Sequence, residues 1–542
     1  MGDVSAYDGD ESRADLALCG LIARALGKEA TYERIEAAFS ECQLGQRAKW
    51  NREDYRKRTI EAALKGGVPE SGDFHRTELG NAKRLVAKFG ESIRYNHEQK
   101  KWYEWTNSVW SRDRISAVKV LMKSIAQSML AEGVAMQDSK ERDALIKWAL
   151  RSESQSIVTH ALSLAESEPG IPVLTEQFDR DSYLLNVKNG TLNLKTGEFR
   201  DHQREDLLTK IAPVAYDPAA KCPRWEQFLR EVMDEETIPF LQRAIGYSLT
   251  GLTVEHCFFL LFGLGRNGKS TFLSIIQYIL GDYAMQTDWQ SFAVAKNGGV
   301  QIRNDIARLH AARFVAAIES EKNVRLAESL IKALTGGDRI TARFLYQESF
   351  EFEPQLKLWL ATNHKPKVIG TDEAIWSRIK LIPFNVTVPP EKRDRHLSDK
   401  LKLEASGILN WALEGLRMYQ QDGLRESKAV SDATELYREN SDVIQHFIDA
   451  KCVLARDGEI RASDLYGAYK FWVGASGEYQ MNERDFGMTL EERGFKRARI
   501  SARKDKPGGV YWHGIQLNQE AQAQSDTSVV LSGAQEPEEL PF

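Results

Sequence analysis

The sequence contains few cysteines and lacks the patterns that cysteines form in metal sites and in disulfide frameworks. Its five cysteines are scattered over 542 residues, and no two of them form a C-x-x-C pair. A structural zinc site and a set of stabilising disulfides are therefore poorly supported. A reducing cytosol fits this cysteine usage best.

Long apolar runs are also missing. No stretch reaches the roughly 18 consecutive apolar residues that a membrane-spanning helix needs. The opening residues, MGDVSAYDGDESRAD, are acidic and lack the basic segment and apolar core of a secretory signal. We therefore expect a cytoplasmic protein without a membrane partner.

The composition that remains is that of a folded, modular protein. Hydrophobic residues make up 42% and charged residues 28% of the chain, close to the averages of globular proteins. The length exceeds what one hydrophobic core usually supports, so we expect several domains. The net charge of −5 does not exclude a nucleic-acid partner, because such proteins bind through local basic surfaces.

Periodicity and turn signals divide the chain into segments of different type. Residues 1–70 carry helical periodicity, and residues 79–230 mix strand-like pieces, a long amphipathic helix and a hairpin with Asn189-Gly190 at its turn. Residues 231–390 alternate strands and helices around a glycine-rich loop, which predicts a nucleotide-binding domain. Helices are predicted again over 391–438, a winged-helix-like domain over 439–515 and a disordered acidic tail over 516–542. The predicted fold class is thus multidomain α/β.

The strongest motif is GLGRNGKS, which starts at Gly263 and matches the phosphate-loop pattern G-x-x-x-x-G-K-[ST]. It follows the strand-like CFFLLF and precedes the helix-like TFLSIIQYIL, as phosphate binding by backbone N–H groups and a helix N-terminus requires. A chance match in a chain of this length has a probability of roughly 2%. We predict that ATP is bound by Gly263, Leu264, Gly265, Arg266, Asn267, Gly268, Lys269, Ser270 and Thr271, with Lys269 on the phosphates and Ser270 on Mg²⁺.

Two further apolar strands end in polar side chains. RFVAAIESEK places Glu319 at a strand end, where a carboxylate can hold Mg²⁺ or orient the attacking water, and Glu321 is a second candidate. LKLWLATNHKP places Asn363 at another strand end, where an amide can sense the γ-phosphate. The alternatives are a solvated strand end for the glutamates and a simple turn before Pro366 for the asparagine.

Arg378 follows in DEAIWSRIKLIPF. A permanently charged guanidinium at this point can act as an arginine finger in phosphoryl transfer. In a ring motor such a finger usually comes from the neighbouring subunit. We therefore expect the monomer to be a poor ATPase.

Two basic regions are candidates for DNA binding. Lys332, Arg339 and Arg343 surround a glycine break and a predicted hairpin, although the two arginines also have the nearby acids Asp338 and Glu348 as alternative partners. Near the C-terminus a second cluster falls within eleven residues and is opposed by Asp505 alone; it consists of Lys496, Arg497, Arg499, Arg503, Lys504 and Lys506. A solvated or protein-binding hairpin is the alternative there. Tyr511 and Trp512 either stack on bases or pack the hairpin onto its helices.

Taken in order, GLGRNGKS, RFVAAIESEK, LIKALTGGDRITARFLY, KLWLATNHKP and GTDEAIWSRIKLIPF resemble the superfamily 3 helicase domain of phage and plasmid primase–helicases, related to the poxvirus type. The resemblance implies an AAA+-like phosphate-loop core and a hexameric ring moving 3′ to 5′ on single-stranded DNA. It also implies that Glu319 is the Walker B acid and a Mg²⁺ ligand, Asn363 the sensor and Arg378 the finger. The spacing Glu-Ser-Glu departs from the adjacent acids of many members, which leaves Glu321 without an assigned role.

The resemblance favours a replicative helicase that unwinds forked DNA for a phage, prophage, plasmid or other mobile element in a bacterial cytoplasm. The primase-polymerase domain of longer members is missing, so we expect a separate primase or polymerase, or a longer protein of which this chain is part, and no primer synthesis by the chain itself. The rival hypothesis is an origin initiator that uses ATP as an assembly switch without processive unwinding.

Overall fold

The computed structural model describes residues 15, 18–19, 22, 31–40, 50, 52–65, 74–294, 304–319, 324–343, 349–368, 373–476, 480–502 and 507–522. Contacts divide the chain into two units, Met1–Arg180 with His202–Thr209 and Asp181–Asp201 with Lys210–Phe542. The division falls inside the segment 79–230, which contributes to both units. Helices and sheets occur in each unit, so the chain is a multidomain α/β protein.

The first continuously described helices of the first unit are α1 (Tyr32–Ser40) and α2 (Glu53–Lys65). Phe39 of α1 stacks on Trp50 with a ring-centroid distance of 3.9 Å. Ile60 of α2 is fully buried in the same small core. Apolar residues on one face of each helix thus account for the helical periodicity of this region.

The rest of the first unit packs four helices beside a small sheet. The elements are α3 (Glu78–Phe89), β1 (Ile93–Asn96), β2 (Lys101–Trp105), β3 (Trp110–Arg112), α4 (Ala117–Ala135), α5 (Ser139–Ser152), α6 (Gln155–Ala165) and β4 (Pro172–Val173). The strand order is β3-β2-β1-β4. Helix α4 is the amphipathic helix expected from the sequence, and Met122 and Met129 on its buried face join the unit's core.

The second unit opens with a three-stranded sheet formed by β5 (Leu184–Val187), β6 (Gly190–Asn193) and β7 (Phe199–Arg200). The hairpin is where the sequence predicts it, but the predicted turn residues are wrong by one position. Val187 pairs with Gly190, so Lys188 and Asn189 occupy the turn. Asn189 instead uses its side chain to bond the backbone of Tyr216 in both directions, at 2.8 and 2.9 Å.

The core of the second unit is a parallel sheet of five strands with helices around it. Its elements are α7 (Pro223–Val232), α8 (Ile238–Leu249), β8 (Phe258–Phe262), α9 (Lys269–Leu280), β9 (Ala284–Gln286), α10 (Asn304–Ala307), β10 (Phe314–Ile318), α11 (Glu328–Gly336), β11 (Ile340–Arg343), β12 (Ser349–Phe352), β13 (Lys357–Thr362), α12 (Glu373–Trp376) and β14 (Ile379–Pro383). The order is β14-β8-β13-β10-β9. Central strands of such a sheet are covered on both faces, which explains the unbroken apolar runs FFLLF and FVAAI.

Two buried basic side chains form hydrogen bonds at the amino end of this sheet. Arg313, 1% exposed, donates to the carbonyl oxygens of Leu249 and Leu184 at 2.7 and 2.8 Å. Lys357 donates to carbonyl oxygens in the loop after α8, including that of Leu252 at 3.1 Å. Burial holds the pKa of Lys357 well below its ordinary value. The two side chains tie the hairpin and the loop after α8 to the sheet.

The hairpin β11–β12 stands apart from the five-stranded sheet and pairs only with itself among the described strands. It follows α11 through Gly337, whose φ of +80° lies in the left-handed region. Residues alternate along β11, with Ile340 and Ala342 buried and Arg343 exposed. The glycine break and the strand pair expected from the sequence are both present.

Helices and a second small sheet complete the unit. The elements are α13 (Leu397–Leu403), α14 (Ala405–Asp422), α15 (Lys428–Ser441), α16 (Val443–Lys451), β15 (Cys452–Arg461), α17 (Ala462–Ser476), α18 (Glu483–Glu492), β16 (Lys496–Ile500) and β17 (Gly509–Leu517). The strand order is β15-β17-β16, which leaves β16 at an edge. Tyr511 and Trp512 are 6% and 2% exposed, so these rings pack the hairpin and are not free to stack on bases. No helix in the described part of the chain has both the length and the apolar character to cross a bilayer.

Candidate nucleotide-binding site

The glycine loop, Gly263–Gly268, joins the carboxyl end of β8 to the first residue of α9. Gly265, Arg266 and Gly268 have φ values of +101°, +56° and +86°, a left-handed course that turns successive N–H groups toward one side. A Cβ on Gly263 would lie 2.0 Å from Nδ2 of Asn267 and 2.4 Å from the carbonyl oxygen of Phe384. Close packing beneath the loop therefore requires glycine at this position.

Lys269 is the first residue of α9, and its side chain folds back into the loop. Its Nζ donates to the carbonyl oxygen of Gly263 at 2.5 Å, to Oδ1 of Asn267 at 3.0 Å and to Oδ1 of Asn363 at 3.1 Å. All three acceptors are neutral oxygens. Burial lowers the pKa of this ammonium to about 8.

Asn267 lies under the loop and is 2% exposed. Its Nδ2 donates to the carbonyl oxygen of Phe384 at 2.8 Å, while its Oδ1 accepts from Lys269. Phe384 directly follows β14. The amide thus connects the lysine to the carboxyl end of a neighbouring strand, and both of its polar ends are used.

Glu319 directly follows β10 at the same edge of the sheet. Its Oε2 accepts from the hydroxyl of Thr362 and from the N–H of His364, the latter at 3.4 Å. Its Oε1 is buried and has no hydrogen-bond partner in the described structure. Burial raises the pKa of this carboxyl group.

These side chains surround one cavity of about 280 Å³ at the carboxyl end of the sheet. The cavity is lined by Gly265, Arg266, Asn267, Gly268, Lys269, Ser270, Thr271, Ile318, Glu319, Ala361, Thr362 and Asn363. Of the residues predicted to contact nucleotide, Gly263 underlies the loop and Leu264 does not line the cavity and is 84% exposed. Glu321 lies outside the described residues.

The cavity has the features that a magnesium-bound polyphosphate needs. The loop presents backbone N–H groups and a lysine, which match phosphate oxygens. The unpartnered Oε1 of Glu319 and the exposed hydroxyl of Ser270 are oxygen donors, the ligand type that Mg²⁺ prefers. These residues therefore fit ATP and Mg²⁺.

Arg378 lies at the opposite edge of the sheet. It precedes β14, whose first residue Ile379 pairs with Phe258, the first residue of β8. The glycine loop follows the other end of β8, about 16 Å away for a strand of five residues. The Nη1 of Arg378 donates to the carbonyl oxygen of Ala374 at 2.6 Å, and its Nε is buried without a hydrogen-bond partner in the described structure. Arg378 is therefore not part of its own chain's cavity.

The basic residues of the β11–β12 region differ in their surroundings. Arg339 forms an exposed ion pair with Glu353 at 3.3 Å, an acid that the sequence analysis did not name, and Glu348 lies outside the described residues. Arg343 is exposed on β11. Lys332 is half-buried on α11.

The basic residues of β16 are all exposed at the edge of the sheet; they are Lys496, Arg497 and Arg499. Arg497 is paired with Glu491 of α18 at 2.6 Å. Asp505 is the only acid within the eleven residues of this cluster, and the structure adds Glu491 of the preceding helix as a further acidic neighbour. Arg503, Lys504 and Lys506 lie outside the described residues.

Sequence reasoning missed Thr362 and the second contact of Asn267. Thr362 reads in the sequence as an ordinary strand residue, since threonine is common in strands. The available signal was its position directly before Asn363, at a strand end that had already been assigned to the site. The contact of Asn267 with Phe384 joins residues 117 positions apart, and nothing local indicates it.

Comparison with known proteins adds two family matches. A family described as "D5 N terminal like" matches residues 82–234. A family of unknown function matches residues 261–378, which include the glycine loop, Glu319 and Asn363.

Relatives with curated names come from large DNA viruses. "Putative helicase L207/L206" of Acanthamoeba polyphaga mimivirus is 25% identical over 463 residues, which cover 77% of this chain and 47% of that protein. "Putative helicase 022R" of Frog virus 3 is 22% identical and covers 63% and 35%. "Putative primase C962R" of African swine fever virus (strain Badajoz 1971 Vero-adapted) is 22% identical and covers 56% and 34%. The chain thus spans about half the length of the first relative and a third of the others.

Among solved structures, the apo C-terminal region of NrS-1 aligns with 82% of this chain and 100% of its own chain, at 10% identity and a TM-score of 0.42. Residues 82–234 match a D5 N-terminal-like domain, and the chain is similar to viral proteins named "putative helicase" and "putative primase".

Proposed function

We propose that the chain is an ATP-driven DNA helicase that works as a ring of identical subunits in the replication of a phage, plasmid or other mobile element. One observation carries the proposal. Lys269, Glu319 and Asn363 line one cavity, while Arg378 lies at the other edge of the same sheet. A chain that holds all parts of the site but one needs a second copy to supply the missing part.

In this proposal the glycine loop and Lys269 bind the phosphates of ATP in an AAA+-like core. Ser270 and Glu319 hold Mg²⁺, which neutralises charge that develops on the phosphate oxygens. Glu319 also orients the attacking water through its unpartnered oxygen. Asn363 already contacts Lys269, and it reports the terminal phosphate when ATP is present.

Arg378 acts on the site of the neighbouring subunit. Within its own chain the guanidinium is half-buried and donates to the carbonyl oxygen of Ala374, and its Nε has no hydrogen-bond partner among the described residues. A guanidinium with unused N–H donors is suited to bind a charged phosphoryl group. Assembly into a ring, a hexamer by resemblance to superfamily 3, would bring this donor to the phosphates.

DNA is bound at two places in this proposal. The β11–β12 hairpin, with Lys332, Arg339 and Arg343, grips single-stranded DNA moving 3′ to 5′ through the ring. The second place is the winged-helix-like segment from α16 to β17, where the edge strand β16 meets duplex DNA at the fork.

Charge decides which part of the winged-helix-like segment contacts DNA. The exposed charged residues of α18 are Glu483, Arg484, Asp485, Glu491 and Glu492. Four of these five are acidic, so the helix repels phosphates, and DNA is better bound along β16. A separate primase or polymerase supplies primers in this proposal.

Mixing two inactive variants tests the shared site. Lys269→Ala removes the phosphate ligand, and Arg378→Ala removes the finger, so each alone should lose hydrolysis. In a 1:1 mixture about a quarter of the interfaces combine an intact cavity with an intact finger, and ATPase activity should reappear. Lys269→Ala mixed with Asn363→Ala is the matched control, because both changes damage the cavity and no interface is complete. If neither mixture hydrolyses ATP at any ratio, a shared site is refuted.

Unwinding of a forked duplex tests the motor itself. The proposal expects ATP-dependent strand separation on a fork with a 3′ single-stranded arm. ATP-dependent assembly on DNA without strand separation would instead identify the chain as an origin initiator. The assay uses the full chain, since both candidate DNA contacts are then present.

A further inference from the structure

Thr362 is the last residue of β13 and is 2% exposed. Its hydroxyl contacts Oε2 of Glu319 and the carbonyl oxygen of His364, and it accepts from the N–H of His364 at 2.9 Å. The hydroxyl therefore lies between the carboxylate of the cavity and the turn that follows the strand.

The hydroxyl has one hydrogen and two neighbouring acceptors. When it donates to Glu319, the carboxylate is held at Oε2 and the carbonyl oxygen of His364 goes without this donor. When it donates to His364, the carboxylate loses the hydroxyl contact and is left with backbone N–H contacts, among them the one from His364 at 3.4 Å. The orientation of one hydroxyl thus decides how firmly Glu319 is held.

Asn363 lies between these two contact residues. The side chain of Asn363 accepts from Lys269, while Thr362 and His364 contact the carboxylate of Glu319. Three consecutive residues thus connect the phosphate-binding lysine with the carboxylate. A backbone displacement of Asn363 toward a terminal phosphate would move Thr362 and His364, since they are its covalent neighbours. The carboxylate responds because both of its contacts at Oε2 come from these neighbours.

We propose that Thr362 is a positioning residue for Glu319, which fixes Oε2 so that the unpartnered Oε1 is presented to water or Mg²⁺ and which links that orientation to Asn363. The inference rests on the proposed ATPase function. A threonine that only fills space at a strand end would be replaced by valine without effect, because the two side chains have nearly the same shape. The hydroxyl is therefore what an experiment has to remove.

Steady-state hydrolysis by full-length Thr362→Val and Thr362→Ser variants tests this role. Loss of a hydrogen bond to a charged group should lower kcat about 10- to 100-fold in the valine variant. The dissociation constant for a non-hydrolysable ATP analogue should stay within about twofold, because nucleotide is held mainly by the glycine loop and Lys269. The serine variant keeps the hydroxyl and should recover most of the activity.

A double variant separates positioning from a general packing effect. If Thr362 acts through Glu319, adding Thr362→Val to a Glu319→Gln background should lower the residual kcat no further. A further 10-fold loss in that background, unchanged kcat in the single valine variant, or a serine variant as slow as valine would overturn the inference. Thr362→Ala serves as a second removal of the hydroxyl if the valine variant has a lower melting temperature.

The unaltered chain shows whether the proposed ATPase function or only the role of Thr362 has failed. If the unaltered chain binds the analogue but hydrolyses no ATP on DNA, the ATPase function fails and this inference fails with it. If the unaltered chain hydrolyses ATP and the valine variant matches it, only the role of Thr362 fails.

Discussion

Proton uptake on nucleotide binding follows from the environment of Lys269. Among the described residues its ammonium donates to three neutral oxygens, and burial lowers its pKa to about 8. Phosphates placed against it favour the charged form and raise the pKa again. At pH 8.5 about three quarters of the free protein carries a neutral lysine, so binding should take up about 0.75 proton per site; at pH 7 the uptake should be about 0.1.

The sign of the pH dependence follows from this uptake. Because binding consumes a proton above pH 8, apparent affinity for nucleotide should fall as pH rises, approaching about tenfold per pH unit well above that value. Calorimetry of a non-hydrolysable ATP analogue at one pH in two buffers of different ionisation enthalpy measures the uptake directly. Lys269→Arg is the matched control, since a guanidinium stays charged throughout this range.

Uptake that is the same at pH 7 and 8.5 in the unaltered protein would refute the reasoning about Lys269. The same conclusion would follow if the arginine variant showed an equal rise, because the proton would then come from another group. Protons that belong to the nucleotide itself cancel in the comparison of the two proteins.

Three further outcomes are expected. Gly263→Ala should abolish nucleotide binding, because its Cβ would lie 2.0 Å from a side-chain nitrogen, whereas Gly474→Ala, with open space around it, should bind normally in a fluorescence titration. Arg313→Met should lower the free energy of unfolding in urea by about 3 kcal/mol, because buried carbonyl groups lose their hydrogen-bond donor. The control Arg339→Met, at an exposed position, should change it by no more than about 0.5 kcal/mol. Arg499→Ala should reduce the slope of log K for duplex DNA against log salt by about 0.9, and an unchanged slope would remove this residue from the interface.

Much of the architecture was predictable because its signals are local. The apolar runs before the glycine loop, Glu319 and Asn363 form strands, and the periodic segment after Ile115 forms α4. The predicted hairpin turn was wrong by one residue. The prediction followed the Asn189-Gly190 pair, whereas in the structure the register between β5 and β6 places Lys188 and Asn189 in the turn. The partners of Arg339 and Arg497, which are Glu353 and Glu491, were also missed, because the packing of one element on another decides which acid faces each arginine.

The sequence by itself determined the strand–loop–helix unit that cradles phosphate, because glycine's access to positive φ and the apolar run of a buried strand are properties of adjacent residues. Only the tertiary structure brought Lys269 within 3.1 Å of Asn363, which lies 94 residues later. It also separated Arg378 from that cavity by a full strand length. The order β14-β8-β13-β10-β9 decides both, since parallel strands gather their carboxyl ends at one edge and leave whatever precedes a strand at the other.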